Sequence, residues 1–262
     1  MQLDNILKNK EFFLIAGPCA IESEDVCFRV AERLTELSSK YNLPVVFKSS
    51  YTKANRLSAE SFSGNGMEFG LDVLRKVKEK FNLPLLTDIH ETSEIKTVSE
   101  IVDILQIPAF LCRQTELVQQ AAATGKWINI KKGQFIAPDD MDKIAAKAKS
   151  DKVILTERGA SFGYHNLTVD FRSFVIMKKF GYPVVYDVTH SLQLPGGGGI
   201  NSSGQPEFVI PMSRAATAIG IDGLFVETHP NPSEALCDAA SMLPLDKMES
   251  LIQEIMKVRE SL

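Results

Sequence analysis

With 262 residues, of which 44% are hydrophobic and 24% charged, the chain can bury a sizeable core, which excludes a disordered protein. Its formal net charge of -4 comes from 29 basic and 33 acidic residues interleaved along the sequence, which argues against a nucleic-acid or membrane-binding surface. No apolar run approaches the ~18 residues of a membrane-spanning helix, and the N-terminus lacks signal-peptide grammar, so a soluble cytoplasmic protein is expected.

Apolar, β-rich runs alternate with amphipathic ones along the chain. The first strand is expected over 12–19, ending in Gly17-Pro-Cys19, and is followed by a helical pattern over 24–40. Strands over 45–50 and 85–90 flank a helical pattern over 67–80, and strands over 102–109 and 127–132 flank one over 114–124. Helices over 139–149 and 171–180 precede strands over 153–158 and 184–190 in alternation, and 206–219 precedes the last strand over 223–229 and a final helix over 245–260. Each strand candidate is short and almost continuously apolar, as a parallel strand covered on both faces should be.

Breaks from helix to strand are short, as in Tyr41-Asn-Leu-Pro44, Phe81-Asn-Leu-Pro84 and Gly181-Tyr-Pro183, whereas those from strand to helix are long, as at 51–66, 159–166 and 191–205. That asymmetry predicts an α/β fold of the (β/α)8 barrel type, one domain over 1–262, with the chemistry in the long loops. A doubly wound open sheet competes with it but would call for a Gly-x-Gly-x-x-Gly after a strand, and none occurs. The glycine run 196–199 reads as a mobile loop beside His190.

Every predicted strand closes on a polar residue: Cys19, Lys48, Asp88, Gln106 with Arg113 beyond it, Lys131, Arg158, His190 and Glu227. Burying so many charges separately would cost several kcal/mol each, so they are expected to share a polar pocket. For any single Lys or Arg, snorkelling to solvent is an equal alternative. Lys48, Lys53, Arg56, Arg113, Lys131 and Arg158 would make that pocket positive and suited to a phosphate or carboxylate. Crowded Lys48 or Lys131 could also form a Schiff base.

The four cysteines, Cys19, Cys27, Cys112 and Cys237, show no Cys-x-x-Cys spacing and are expected reduced. Cys19, His190, Glu227 and Asp238 together offer donors for zinc, iron(II), manganese or cobalt. Cys237 is a rival thiol, and Cys27 and Cys112 read as small buried hydrophobes. His90, His165 and His229 carry no assignment.

Gly17-Pro-Cys-Ala-Ile-Glu-Ser23, Phe47-Lys-Ser-Ser50, Lys53-Ala-Asn-Arg56, Gln106-Ile-Pro-Ala-Phe-Leu-Cys-Arg-Gln-Thr115, Ile130-Lys-Lys-Gly-Gln-Phe135, Thr156-Glu-Arg-Gly159, Asp187-Val-Thr-His-Ser-Leu-Gln193 and Glu227-Thr-His-Pro230 occur in this order. Together they resemble the 3-deoxy-D-manno-octulosonate 8-phosphate synthases over nearly the whole chain. Gly-Pro-Cys is shared with the 3-deoxy-heptulosonate phosphate synthases, which have Lys-Pro-Arg-Thr where this chain has Lys53-Ala-Asn-Arg56.

The resemblance implies condensation of phosphoenolpyruvate with arabinose 5-phosphate and water, leading toward lipopolysaccharide, in a homotetramer. It implies that Lys131, Arg158 and Arg113 hold the phosphoenolpyruvate phosphate, that Lys53 and Gln106 serve its carboxylate, and that Gln134 binds substrate. Lys48, Asn55, Arg56 and Asp88 would line the sugar. Cys19 places the chain in the metal-dependent class, with His190, Glu227 and Asp238 completing the ligand set.

Three positions depart from the family's pattern: Leu57 follows Lys53-Ala-Asn-Arg56, Ser63 stands where an arginine is common in Ser61-Phe-Ser-Gly64, and Asp238-Ala-Ala-Ser replaces an Asp-Gly-Pro segment. The first two leave open another phosphorylated aldose, or a barrel that binds sugar phosphates without turnover.

Overall fold

A computed structural model describes residues 3–54, 62–198 and 201–262. Strands Phe13–Gly17, Val45–Lys48, Leu85–Asp88, Ile104–Ile107, Trp127–Lys131, Val153–Glu157, Val184–Asp187 and Gly223–His229 pair in chain order, all parallel. The first also pairs with the last, Phe13 opposite Gly223 and Gly17 opposite Glu227. That closure makes the sheet a (β/α)8 barrel and removes the open-sheet alternative.

Successive side chains on a strand point to opposite faces. Outward residues such as Leu14, Phe47, Leu105, Ile128, Leu155 and Tyr186 join the core shared with the helices. The inward residues nearest the strand starts, Phe13, Ile15, Val46, Leu86, Ile104, Trp127, Ile154, Val185 and Phe225, form a separate apolar plug. A helix over Leu3–Lys8, not anticipated from the sequence, closes this end by burying Ile6 and Leu7 in the plug. Its Asp4 accepts a hydrogen bond from the Trp127 indole at 2.7 Å.

The helices Glu24–Tyr41 and Met67–Phe81 each end on an asparagine in the left-handed region, Asn42 at φ 47° and Asn82 at φ 52°. Each asparagine returns its N–H to a carbonyl of the last turn, and the Leu-Pro pair after it delivers the next strand. A short helix over Ile95–Ser99, entered through a 3-10 turn at Thr92–Glu94, links the third and fourth strands where no helix is evident in the sequence.

Gln193–Gly198 and Asn201–Gly204 form an antiparallel ribbon, so the glycine run as far as Gly198 lies on a paired strand, and Gly199 lies outside the described residues. At Gly204 a Cβ would lie 2.3 Å from Ser241 Oγ, so a bare backbone is required for the ribbon to pack there. Among the described residues no helix is long and apolar enough to cross a membrane.

Candidate active site

The inward face changes character one step above the apolar plug. Two residues after Val46, Leu86, Ile104, Trp127, Ile154, Val185 and Phe225 come Lys48, Asp88, Gln106, Asn129, Thr156, Asp187 and Glu227, all buried. Strand alternation alone therefore aims this ring at the barrel axis. On the first strand the equivalent place is Gly17, where a Cβ would lie 1.9 Å from the Lys48 carbonyl oxygen. Above the ring stand Cys19, Ser50, Lys131 and Arg158, and a cavity of about 680 Å³ opens at this end of the strands.

Opposite charges organise the ring. Lys48 Nζ donates to Glu227 Oε1 at 2.5 Å and to the Cys19 carbonyl at 3.2 Å, with Lys53 Nζ 3.6 Å from the same carboxylate oxygen. Asp187 accepts from Lys131 and pairs with His190 Nδ1 at 2.8 Å, which turns His190 Nε2 toward Glu227 Oε1, 3.6 Å away. Phe225 floors the group, its ring centroid 3.5 Å from Lys131 Nζ.

Burial raises the Glu227 carboxyl, but Lys48, Lys53 and His190 outweigh it and hold it well below its ordinary value. Asp88 and Asp187 are lowered in the same way, by Lys48 and Lys53 and by His190 and Lys131 respectively. Burial draws the Lys131 amine down, opposed by Asp187. Lys53 goes the other way, because the acidic groups around it, Cys19 and Glu227 first among them, overcome its burial.

A neutral hydrogen-bond chain crosses the other half of the ring. Thr156 Oγ1 donates to Asn129 Oδ1 at 2.5 Å, Asn129 Nδ2 donates to Gln106 Oε1 at 2.8 Å, and Gln106 Nε2 donates to Asp88. Ser50 Oγ donates to the other Asp88 oxygen. Asp88 is thereby fixed facing the cavity as an ionised acceptor.

Cys19, Glu227 and Asp238 bring a sulfur and two carboxylate oxygens within 4.8 Å of one another. The Cys19 thiol donates to Asp238 Oδ2 at 3.1 Å. Burial pushes this thiol far up, reinforced by Cys237, Asp238 and Glu227, so a proton or a cation must offset the clustered negative charge. Glu227 Oε2 is buried with no hydrogen-bond partner. A sulfur and two carboxylates, one of them with an orphaned buried oxygen, fit a divalent cation that takes the place of the Cys19 proton. His190 stands outside this set of three, adjoining it through Glu227.

Lys48, Lys53, Asp88, Gln106, Lys131, Gln134, Arg158, His190 and Asp238 all line the cavity, while Cys19 and Glu227 lie buried beside it. Arg158 Nη2 donates to Gln193 Oε1 at 3.2 Å, whereas its Nη1, like Gln134 Oε1, is buried with no partner. Arg113 is exposed and is not part of the lining. Asn55, Arg56 and Leu57 lie outside the described residues.

Asp187, Asn129 and Thr156 carry no site assignment from the sequence, and neither do His90 and His165, although both histidines face the cavity. Strand alternation would have pointed to the first three, each two residues beyond an apolar plug residue. Nothing local marks the two histidines.

The profile of the DAHP synthetase I family matches residues 5–262. A protein of Trichlorobacter lovleyi named 2-dehydro-3-deoxyphosphooctonate aldolase is 54% identical over 92% of this chain and 90% of its own length. Proteins of the same name from Acidithiobacillus ferrooxidans and Cyanothece sp. are 53% and 52% identical, over 92% and 96% of this chain and 87% and 93% of their own lengths. A profile match over almost the entire chain, with relatives this similar, makes the chain a member of the DAHP synthetase I family.

Proposed function

We propose that the chain condenses phosphoenolpyruvate with arabinose 5-phosphate and water, giving 3-deoxy-D-manno-octulosonate 8-phosphate and inorganic phosphate. The observation that carries this reading is the convergence of Lys131 and Arg158, both buried, on one cavity with the Cys19, Glu227 and Asp238 donor set. The name borne by the relatives supports the same reaction.

In the reaction, C3 of phosphoenolpyruvate bonds to the aldehyde carbon, water oxygen adds at C2 and phosphate departs. The enol carbon is a weak nucleophile, so the chain must hold it within about 3–3.5 Å of the aldehyde. Lys131 and Arg158 take the phosphoenolpyruvate phosphate, and its oxygens satisfy the Arg158 Nη1 left without a protein partner. Lys53 and Gln106 serve the carboxylate, Gln106 with one amide hydrogen remaining after its bond to Asp88. Gln134 adds a contact from the rim. Lys48 and Asp88 line the sugar, a role the resemblance also gives to Asn55 and Arg56, which lie outside the described residues.

These cations offset repulsion between two phosphorylated substrates as charge shifts. Cys19, Glu227 and Asp238 would hold a divalent ion of the zinc, iron(II), manganese or cobalt type, with His190 as fourth donor. Such an ion supplies Lewis acidity toward the aldehyde or orients the water. Asp187 keeps the His190 ring turned to that place. We assign Arg113 to the phosphoenolpyruvate phosphate across a homotetramer contact, a reading supported by its exposure and by the exposed Phe110, Phe135, Phe162 and Tyr164.

Phosphate release from phosphoenolpyruvate should require both arabinose 5-phosphate and a divalent ion, with the eight-carbon product seen by mass spectrometry. Turnover that survives thorough chelation removes the metal role, and a different aldose preferred in a panel of phosphorylated sugars corrects the substrate. Cys19→Ala should lose bound metal and turnover together, and retention of both would mean that another group is the ligand. The lowered Lys131 amine favours one rival, a Schiff-base aldolase. Borohydride with substrate would then add mass to Lys131, and an unmodified lysine disposes of that rival.

A further inference from the structure

Leu236, in the loop that leads to Asp238, donates its N–H to Glu22 Oε1 at 2.8 Å. The other Glu22 oxygen lies 3.5 Å from His229 Nε2, with both side chains nearly buried. Glu22 follows Cys19 by three residues and His229 follows Glu227 by two. Glu22 therefore ties the segment that carries Cys19 to the loop that carries Asp238, and sets its second oxygen beside the His229 ring that follows Glu227.

Both ends of this tie are themselves fixed. Asn65 Nδ2 donates to the Glu22 carbonyl at 2.8 Å and to the Ile21 carbonyl at 3.3 Å. The Asn231 N–H donates to His229 Nδ1 at 3.0 Å, folding the start of the loop over the ring. Only Cys237 separates the anchored Leu236 from Asp238, whose backbone is left-handed at φ 47°. A non-glycine residue persists there only where its neighbours determine it, and Ser241 N–H supplies the second hold by donating to the Asp238 carbonyl at 2.9 Å.

We propose that Glu22 is a positioning residue that sets the loop so that the Asp238 carboxylate meets the Cys19 sulfur, pre-organising the donor set for a divalent cation. The proposal rests on the metal reading above. Groups that orient ligands from outside typically change metal affinity about 10–100-fold when removed.

The test is a cobalt(II) titration of the metal-free full chain, followed by calorimetry and by the thiolate-to-cobalt charge-transfer band. Wild type should bind cobalt with that band, and Glu22→Ala should bind about 10–100-fold more weakly. Glu22→Gln keeps an oxygen for the Leu236 N–H and should rescue most of the affinity, whereas Glu22→Asp, one methylene shorter, should not. A purely structural role would lower the melting temperature of the metal-free variants while leaving affinity and band unchanged, and that result overturns the proposal. Should Glu22→Ala fail to fold, the other two variants decide, and equal affinity for both overturns the proposal. A wild type without the band, or Cys19→Ala with it, removes the metal reading itself.

Discussion

Arg158 is held on one side and open on the other: Nη2 is spent on Gln193 while Nη1 is buried without a partner. Burial lowers this guanidinium, opposed first by Asp187 and Glu157, yet it stays charged because arginine has so high an ordinary value. A planar fork can take two oxygens of one phosphate, which a lysine ammonium cannot do with the same fixed geometry. Arg158→Lys therefore keeps the charge and removes one directed bond. A hydrogen bond to a charged group contributes about 1.5–3 kcal/mol, so the KM for phosphoenolpyruvate should rise about 10–100-fold with a smaller change in kcat. Steady-state kinetics with the aldose saturating check this, and an unchanged KM would move the phosphate elsewhere in the cavity.

Between the fifth and sixth strands, side chains one position away from the site residues point outward and do a different job. Lys132 and Glu157, each beside an inward cation, form an ion pair at 3.3 Å in which both side chains are 2% exposed. Lys132 also donates to the Gly133 and Ile136 carbonyls, and Glu157 accepts the Gly159 N–H at 2.7 Å, so the pair pins the loops after both strands. Removing one partner of a buried pair typically costs about 3–5 kcal/mol, whereas replacing both with apolar residues is often near neutral. Lys132→Met should therefore be strongly destabilised in urea, and adding Glu157→Leu should recover most of the loss. Additive losses would show that the backbone contacts matter more than the charges. The same alternation of faces decides what is legible in the sequence. The eight strands are legible because each is apolar on both faces, and Lys48, Asp88, Gln106, Lys131, Arg158 and Glu227 stand where those runs turn polar. Leu3–Lys8 and Ile95–Ser99 are too short to show a helical period. Asp187 is masked inside the apolar run before His190, and Glu22 meets its partner 214 residues away, a pairing that only the closed barrel creates. Arg113 follows the fourth strand but points to solvent, since position after a strand end does not fix the direction of a loop side chain.

Across the whole molecule, the mouth of the barrel gathers cations while the chain carries a net charge of -4, so acid conditions act on two fronts. Asp88, Asp187 and Glu227 are all held below their ordinary values by buried cations. Glu94, which accepts from Tyr51 and the His90 N–H at 2.7 Å each, is drawn from 4.5 to about 2, its burial outweighed by His90 and Tyr51. Carboxylates with lowered folded values bind fewer protons in the folded than in the unfolded chain. Their stabilisation is fully present above the unfolded values and is lost as pH falls through the folded ones. Protonating acidic groups also leaves 29 Lys and Arg uncompensated, adding self-repulsion. The melting temperature should therefore fall steeply as pH drops below about 4.5 toward 2. Glu94→Gln should melt lower than wild type at neutral pH but lose less on acidification, so that the two curves converge. Curves that stay parallel across that window would show that Glu94 contributes nothing to the acid response, leaving it to the buried ring and to repulsion.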